Sequence, residues 1–90
     1  MFENIIKILD KSKNAKVDIL VARDMVIAEE NIPYKEMNKA SDLIGRYYET
    51  IVKCYKTNDF DTIKKLAESN SRDEREAIAK EVAERIENNG

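Results

Sequence analysis

Residues able to perform chemistry are few in this chain, and carboxylates are the most numerous of them. The 90-residue sequence has no histidine and one cysteine, Cys54. Catalytic sites that use histidine as the base are therefore excluded, as are most zinc sites, and a lone cysteine with no histidine to activate it is a poor candidate for a catalytic nucleophile. Gly45 lies inside a predicted helix and Gly90 is the last residue, so no glycine-rich loop can hold phosphates. Carboxylate–magnesium chemistry is the enzymatic option that remains.

Four acidic residues around the second and third predicted helices could hold magnesium. They are Glu29, Glu30, Glu36 and Asp42. In their helix–turn–helix context they resemble the helix-borne acids of the α-helical nucleotide pyrophosphatases of the MazG kind, which implies a magnesium-dependent hydrolase. Asn38 and Lys39, however, stand where that family has paired acids. We therefore predict that the chain is not an enzyme and has no metal or cofactor. A magnesium-dependent hydrolase using Glu29, Glu30 and Glu36 is the third hypothesis, after the two functions described below.

Basic side chains along the third predicted helix could bind nucleic acid. They are Lys35, Lys39, Arg46, Lys53 and Lys56. Asp42 and Glu49 interrupt this line, and the net charge of the chain is −2, whereas nucleic-acid-binding domains are usually basic. Ion pairs such as Asp42/Arg46 on a solvated helix face account for the same pattern. Nucleic-acid binding is kept as the alternative function.

Composition favours an all-α fold. Charged residues make up 38% and apolar residues 42% of the chain, and two glycines and one proline are too few for the many turns of a β-sandwich or barrel. We predict a single domain over 1–90, a small antiparallel bundle of four to five helices. One long central helix, at about 33–57, is expected to organise it.

The long helix is predicted from apolar residues that recur at alternating steps of three and four. They are Met37, Ala40, Ile44, Tyr47, Ile51 and Cys54. The pattern passes Gly45 without a change of phase, which favours one continuous helix over a DNA-binding helix-turn-helix. Further helices are expected at 2–11, 16–30, 59–69 and 72–88. Ser12 or Asn14 is expected to cap the second, and Ser71 the last.

The second predicted helix is the least typical element. Its apolar residues lie nearly all the way round a helical wheel, which indicates a central position or a surface shared with a partner. Five β-branched residues in VDILVA and MVIAEE leave a strand as an alternative, but no hairpin signal separates the two segments.

The second helix and the long helix together have more apolar surface than the other three helices can cover. This excess predicts a protein–protein interface. The expected interface residues are Ile19, Val26, Ile27, Tyr47, Tyr48 and Tyr55. The predicted function is therefore a non-enzymatic interaction module, acting as a homo-oligomer or as an accessory or regulatory subunit. No segment has the continuous apolar length of a membrane span, and the single cysteine fits a reducing compartment, so we expect a cytoplasmic protein.

Overall fold

In a computed structural model, which describes residues 1–89 and their side chains as far as Arg85, every regular element is a helix. The helices are α1 Phe2–Ala15, α2 Ile19–Glu30, α3 Tyr34–Arg46, α4 Tyr48–Lys56, α5 Phe60–Glu68 and α6 Arg72–Asn89. The predicted all-α helical class is confirmed, with six helices in these residues where four to five were expected. The second element is a helix, and residues 1–89 contain no strand.

The predicted continuous helix over 33–57 is wrong, because the chain leaves the helical conformation at Tyr47. There φ is −124° and ψ is 41°, and α4 begins at the next residue. Ile44 and Ile51, on either side of the break, are both fully buried but belong to different cores. The apolar spacing therefore continues across the break because it serves two cores in succession, and it does not require an unbroken backbone.

The chain divides into two compact units, Met1–Arg46 and Tyr47–Gly90. The first contains α1, α2 and α3, which pack against one another. Its core is apolar and comprises Ile5, Ile8, Leu9, Ala22, Val26, Met37, Ala40 and Ile44. That the two units form one domain, as the sequence predicts, stays a prediction.

The second unit contains α4, α5 and α6, which also pack against one another. Its buried apolar residues are Ile51, Cys54, Ile63, Leu66 and Val82. Ser71 accepts a hydrogen bond from the Glu74 N–H at 3.1 Å, so the predicted cap of the last helix is confirmed. Ile86, which we expected to belong to the apolar stripe of this helix, lies outside the residues whose side chains are described.

The connection between α1 and α2 differs from the prediction. Helix α1 runs on to Ala15 and ends at Lys16 in the left-handed conformation, with φ of 57°. Neither Ser12 nor Asn14 caps the second helix, because both lie within α1. Asp18 is the cap instead, and its carboxylate accepts the Val21 N–H at 2.9 Å. Asp18 satisfies an N–H group that would otherwise lack a partner at the start of α2.

Within residues 1–89, no helix combines the length and the apolar character that crossing a bilayer requires.

Candidate protein-interaction surface

The outer face of α2 carries apolar side chains where a surface helix normally has polar ones. This face comprises Leu20, Val21, Asp24, Ile27 and Ala28, and we call it the α2 seam. The side chain of Leu20 is 58% exposed and that of Val21 44% exposed. Ala22 and Val26, on the opposite face, are buried in the core. Because the inner face already supplies the core contacts, the seam is apolar surface that folding leaves in water.

The three interface residues predicted on α2 occupy different positions. Val26 is buried in the first unit and contributes to its core rather than to a surface, which is a correction. Ile19 and Ile27 are half-buried, and Ile27 lies on the α2 seam. Leu20 and Val21 were missed, because the phase of a helix that is apolar on all sides cannot be read from its own sequence. The cap at Asp18 and the core pair at Ala22 and Val26 fix that phase in the structure.

Arg23 borders the α2 seam and is held by several partners. Its side chain is only 12% exposed. One guanidinium nitrogen donates to Asn38 Oδ1 at 2.9 Å, and another lies 3.0 Å from Asp24 Oδ1. The guanidinium carbon also lies over the Tyr34 ring, 4.9 Å from its centre, within the range of a cation–π contact. The guanidinium of Arg23 therefore has all these partners within its own chain, whereas the Asp24 carboxylate is 61% exposed.

The predicted tyrosines of the interface also differ in exposure. Tyr48, at the start of α4, is 52% exposed. Tyr55 is half-buried and its ring contacts that of Phe60, with 6.2 Å between centres and 54° between planes. Tyr47 is half-buried at the break between α3 and α4. Tyr48 is therefore the predicted tyrosine with the most surface free for a partner.

A surface groove of about 440 Å³ runs between α4 and α6 in the second unit. Its apolar lining comes from Tyr48, Val52, Val82 and Ala83, and Lys53 and Lys56 add positive charge. We call it the α4/α6 groove. Glu49 also lines it, so the groove residues carry two cationic groups and one anionic group. A groove with apolar lining residues is a typical binding site for an amphipathic helix.

A second groove, of about 490 Å³, lies between α2 and α3 in the first unit. Apart from Leu20 and Gly45, its lining is polar or charged, and Asn38 and Arg23 there already bond to each other. Apart from the adjacent residues and the backbone of its own helix, no atom lies within 4 Å of the position that a Cβ on Gly45 would occupy. The polar lining makes this groove a weaker protein-binding site than the α4/α6 groove.

The basic residues expected to bind nucleic acid do not share one helix. Lys35, Lys39 and Arg46 belong to α3, whereas Lys53 and Lys56 belong to α4. Arg46 also forms the predicted pair with Asp42, at 2.9 Å. The break at Tyr47 thus divides the five basic residues between two helices, and nucleic-acid binding stays a prediction.

The acidic residues considered for magnesium are partly used in ion pairs between α1 and α2. Glu30 lies 3.0 Å from the Lys7 ammonium, and Glu29 lies 2.6 Å from that of Lys11. Among the side chains that the structure describes, which end at Arg85, no three acidic or cysteine groups are placed together as a metal ion would require. The magnesium-hydrolase hypothesis therefore gains no geometric support.

Two titratable groups of the second unit are perturbed by their surroundings. Burial raises the pKa of the Cys54 thiol, with a smaller contribution from the Asp59 charge, so the thiol is protonated and inert at neutral pH. The Thr62 hydroxyl, which donates to Asp59 at 2.6 Å, lowers the pKa of that carboxyl most. Arg85, 3.5 Å away, lowers it further. Neither group lines the α4/α6 groove or the groove between α2 and α3.

Comparison of this chain with protein families, with curated proteins and with solved structures finds no match.

Proposed function

We propose that this protein is a non-enzymatic interaction module and that the α2 seam is its contact surface. The observation that carries the proposal is the exposure of Leu20 and Val21 on a helix whose other face is already in the core. Single exposed apolar residues are common on protein surfaces. A strip of them along one helix face, interrupted only by the Asp24 carboxylate, is typical of a surface that a partner covers.

The energy available from the seam bounds the kind of interaction. Complete burial of a leucine, isoleucine or valine side chain contributes about 1.5–3 kcal/mol, and Leu20 and Val21 are each roughly half exposed. Association itself costs at least about 4 kcal/mol in lost freedom of motion. The seam alone is therefore too small for a tight complex, and stable binding requires a partner surface that adds further contacts around it.

The module acts either by associating with itself or as an accessory or regulatory subunit of a larger assembly. We place it in the cytoplasm, where the single cysteine, buried on α4, stays a thiol. Nucleic-acid binding is the less favoured function, since the five basic residues are divided between α3 and α4.

The test replaces Leu20 with glutamate, which puts a charge at the most exposed point of the seam. Because the side chain is in water, the free energy of unfolding should change by less than about 0.5 kcal/mol. Sedimentation velocity should show weaker association than in the wild type. For a partner other than this chain, retention of that partner from a native-host extract should be lost in Leu20→Glu.

A matched control is Ala77→Glu, which adds the same charge at an exposed position of α6. This variant should associate and retain partners like the wild type. Equal binding by Leu20→Glu and the wild type, in both measurements, would contradict the proposed function.

A further inference from the structure

The α2 seam has the chemistry of a peptide helix that docks into a groove. Leu20, Asp24 and Ile27 are spaced i, i+4 and i+7, the spacing at which anchors of an amphipathic helix reach one groove. Val21 and Ala28 lie beside them on the same face. From Leu20 to Ile27 the helix rises about 10 Å, at 1.5 Å per residue. The seam is therefore two turns of mainly apolar surface with one acidic group near its middle.

The α4/α6 groove has the complementary chemistry. Tyr48 and Val52 provide apolar surface from α4, and Val82 and Ala83 provide it from α6. Lys53 and Lys56 lie along the same groove, and neither forms an ion pair with another described residue. From Tyr48 to Lys56 the helix rises about 12 Å, which matches the length of the seam. An acidic group on a docked helix would meet these lysines, and two of its turns would fill the length of the groove.

We propose that the α2 seam of one molecule docks into the α4/α6 groove of a second copy of the same chain. This inference rests on the proposed function, since it names the partner of the same seam. Leu20 and Ile27 contact the apolar lining, and the Asp24 carboxylate pairs with Lys53 or Lys56. The groove residues contribute the further contacts that stable binding requires in addition to the seam.

Charge favours this contact over a symmetric pairing of two seams. A two-fold axis through the centre of an antiparallel α2–α2 contact brings the Asp24 carboxylates of both copies together. Arg23 pairs with Asp24 of its own chain at 3.0 Å, but it is largely buried and also engaged with Asn38 and Tyr34, so the carboxylate, 61% exposed, is the charged group that a partner surface meets. Like charges facing each other across an interface are unfavourable, whereas the seam and groove carry opposite charges.

A contact between two different surfaces is heterologous. A pair joined by one such contact still has one unused seam on one molecule and one unused groove on the other, so association continues until a ring of two or more molecules closes or a chain of molecules forms. The proposal therefore predicts that the mean size of the associated species, a dimer or larger, rises with protein concentration.

The experiment exchanges the charges of the two surfaces in full-length protein. Asp24→Lys makes the seam basic and leaves the groove native, and the double variant Lys53→Glu/Lys56→Glu makes the groove acidic and leaves the seam native. Each alone should associate at least about tenfold more weakly than the wild type, because like charges then face each other. An equimolar mixture should recover association, since the basic seam of one meets the acidic groove of the other.

The matched control is Lys64→Glu/Lys65→Glu, which makes the same charge change at exposed positions of α5 outside the groove. It should associate like the wild type. Circular dichroism at the same temperature should show that all the variants keep the helical content of the wild type. If the control weakens association as much as the groove variant does, net charge explains the effect and the inference is overturned.

Other outcomes separate this inference from the proposed function. Association that Leu20→Glu abolishes and Lys53→Glu/Lys56→Glu leaves intact would overturn the groove and retain the seam. A wild type that stays monomeric at every concentration would also overturn the inference, and the proposed function would then depend on a different partner retained through Leu20. Failure of the mixture to recover association would equally overturn the pairing.

Discussion

At the scale of single residues, three positions take the left-handed backbone conformation. Lys16, Asn31 and Asn58 have φ of 57°, 55° and 60°. Asparagine tolerates this conformation better than other residues with a side chain, whereas lysine has no compensating local hydrogen bond. Of these three residues, Lys16, which ends α1, is therefore the one whose left-handed backbone is the most strained.

Lys16→Gly is expected to raise the free energy of unfolding by roughly 0.5–1 kcal/mol, because glycine adopts the left-handed conformation without steric cost. Asn31→Gly, at the corresponding end of α2, is the control and should change it by only a few tenths of a kcal/mol. Urea denaturation of both variants measures the difference. A loss of stability in Lys16→Gly would contradict the strain argument.

Asp59 joins an N-cap to an ion pair. It accepts the Thr62 N–H at 3.3 Å at the start of α5 and lies 3.5 Å from Arg85 of α6. We expect Asp59→Ala to cost about 1 kcal/mol, and Asp59→Asn less, since asparagine keeps the cap acceptor. Denaturation of the two variants at neutral pH gives both values.

The pH dependence of Asp59 follows from its lowered pKa. The carboxylate is stabilised in the folded state, so its contribution is present above the unfolded pKa of about 3.8 and is lost as pH falls through the lower folded pKa. The stability difference between the wild type and Asp59→Asn should therefore shrink below about pH 4. A difference that grows on acidification would contradict this assignment.

At the scale of elements, the sequence identifies the helices better than their junctions. The predicted segments at 2–11, 16–30, 59–69 and 72–88 all contain a helix, because apolar spacing and few breakers decide element type. The break at Tyr47 escaped prediction because Met37 to Cys54 keep a regular spacing through it. Long-range packing decides such a break, since Ile44 and Ile51 are each drawn into a separate core.

The candidate site was found only in part for the same reason. The sequence indicated that α2 has excess apolar surface and named Ile27, but it also named Val26, which is a core residue. Nothing in the α2 sequence states which side faces α1 and α3. The groove between α4 and α6 could not be predicted, because it depends on the packing of helices distant in sequence.

Gly45, in the last turn of α3, gives a prediction for this element. Open space surrounds its Cβ position, and the residue is not in the left-handed conformation. Gly45→Ala should therefore stabilise the protein by up to about 1 kcal/mol through higher helix propensity. Ala40→Gly, in the buried part of the same helix, should do the reverse. Destabilisation by Gly45→Ala in thermal unfolding would show that the break at Tyr47 needs glycine beside it.

At the scale of the whole molecule, the chain consists of two units, each about half its length and each with its own core. Units of this size bury a smaller fraction of their surface than larger domains do, so a single core stabilises them only weakly. If the protein associates through the α2 seam, as we propose, association adds stability by mass action, about 1.4 kcal/mol for each tenfold rise in the concentration of free partner above the Kd.

The Tm of the wild type should therefore rise by several degrees over a tenfold increase in protein concentration, given the shift of about 4–8 °C per kcal/mol for domains of this length. Leu20→Glu should remove this dependence, and Ala77→Glu should keep it. Differential scanning calorimetry at a series of concentrations measures all three. A concentration-independent Tm in the wild type would contradict self-association.

The most direct test of the central claim is a dilution series followed by backbone amide NMR. If the α2 seam is the contact surface, the shifts that change with concentration belong to Leu20, Val21 and Ile27. If the partner is a second copy, the amide shifts of Tyr48 and Lys53 change with the same midpoint in protein concentration. All these shift changes disappear in Leu20→Glu. Concentration-dependent shifts that leave α2 unchanged and map to another surface would contradict the claim.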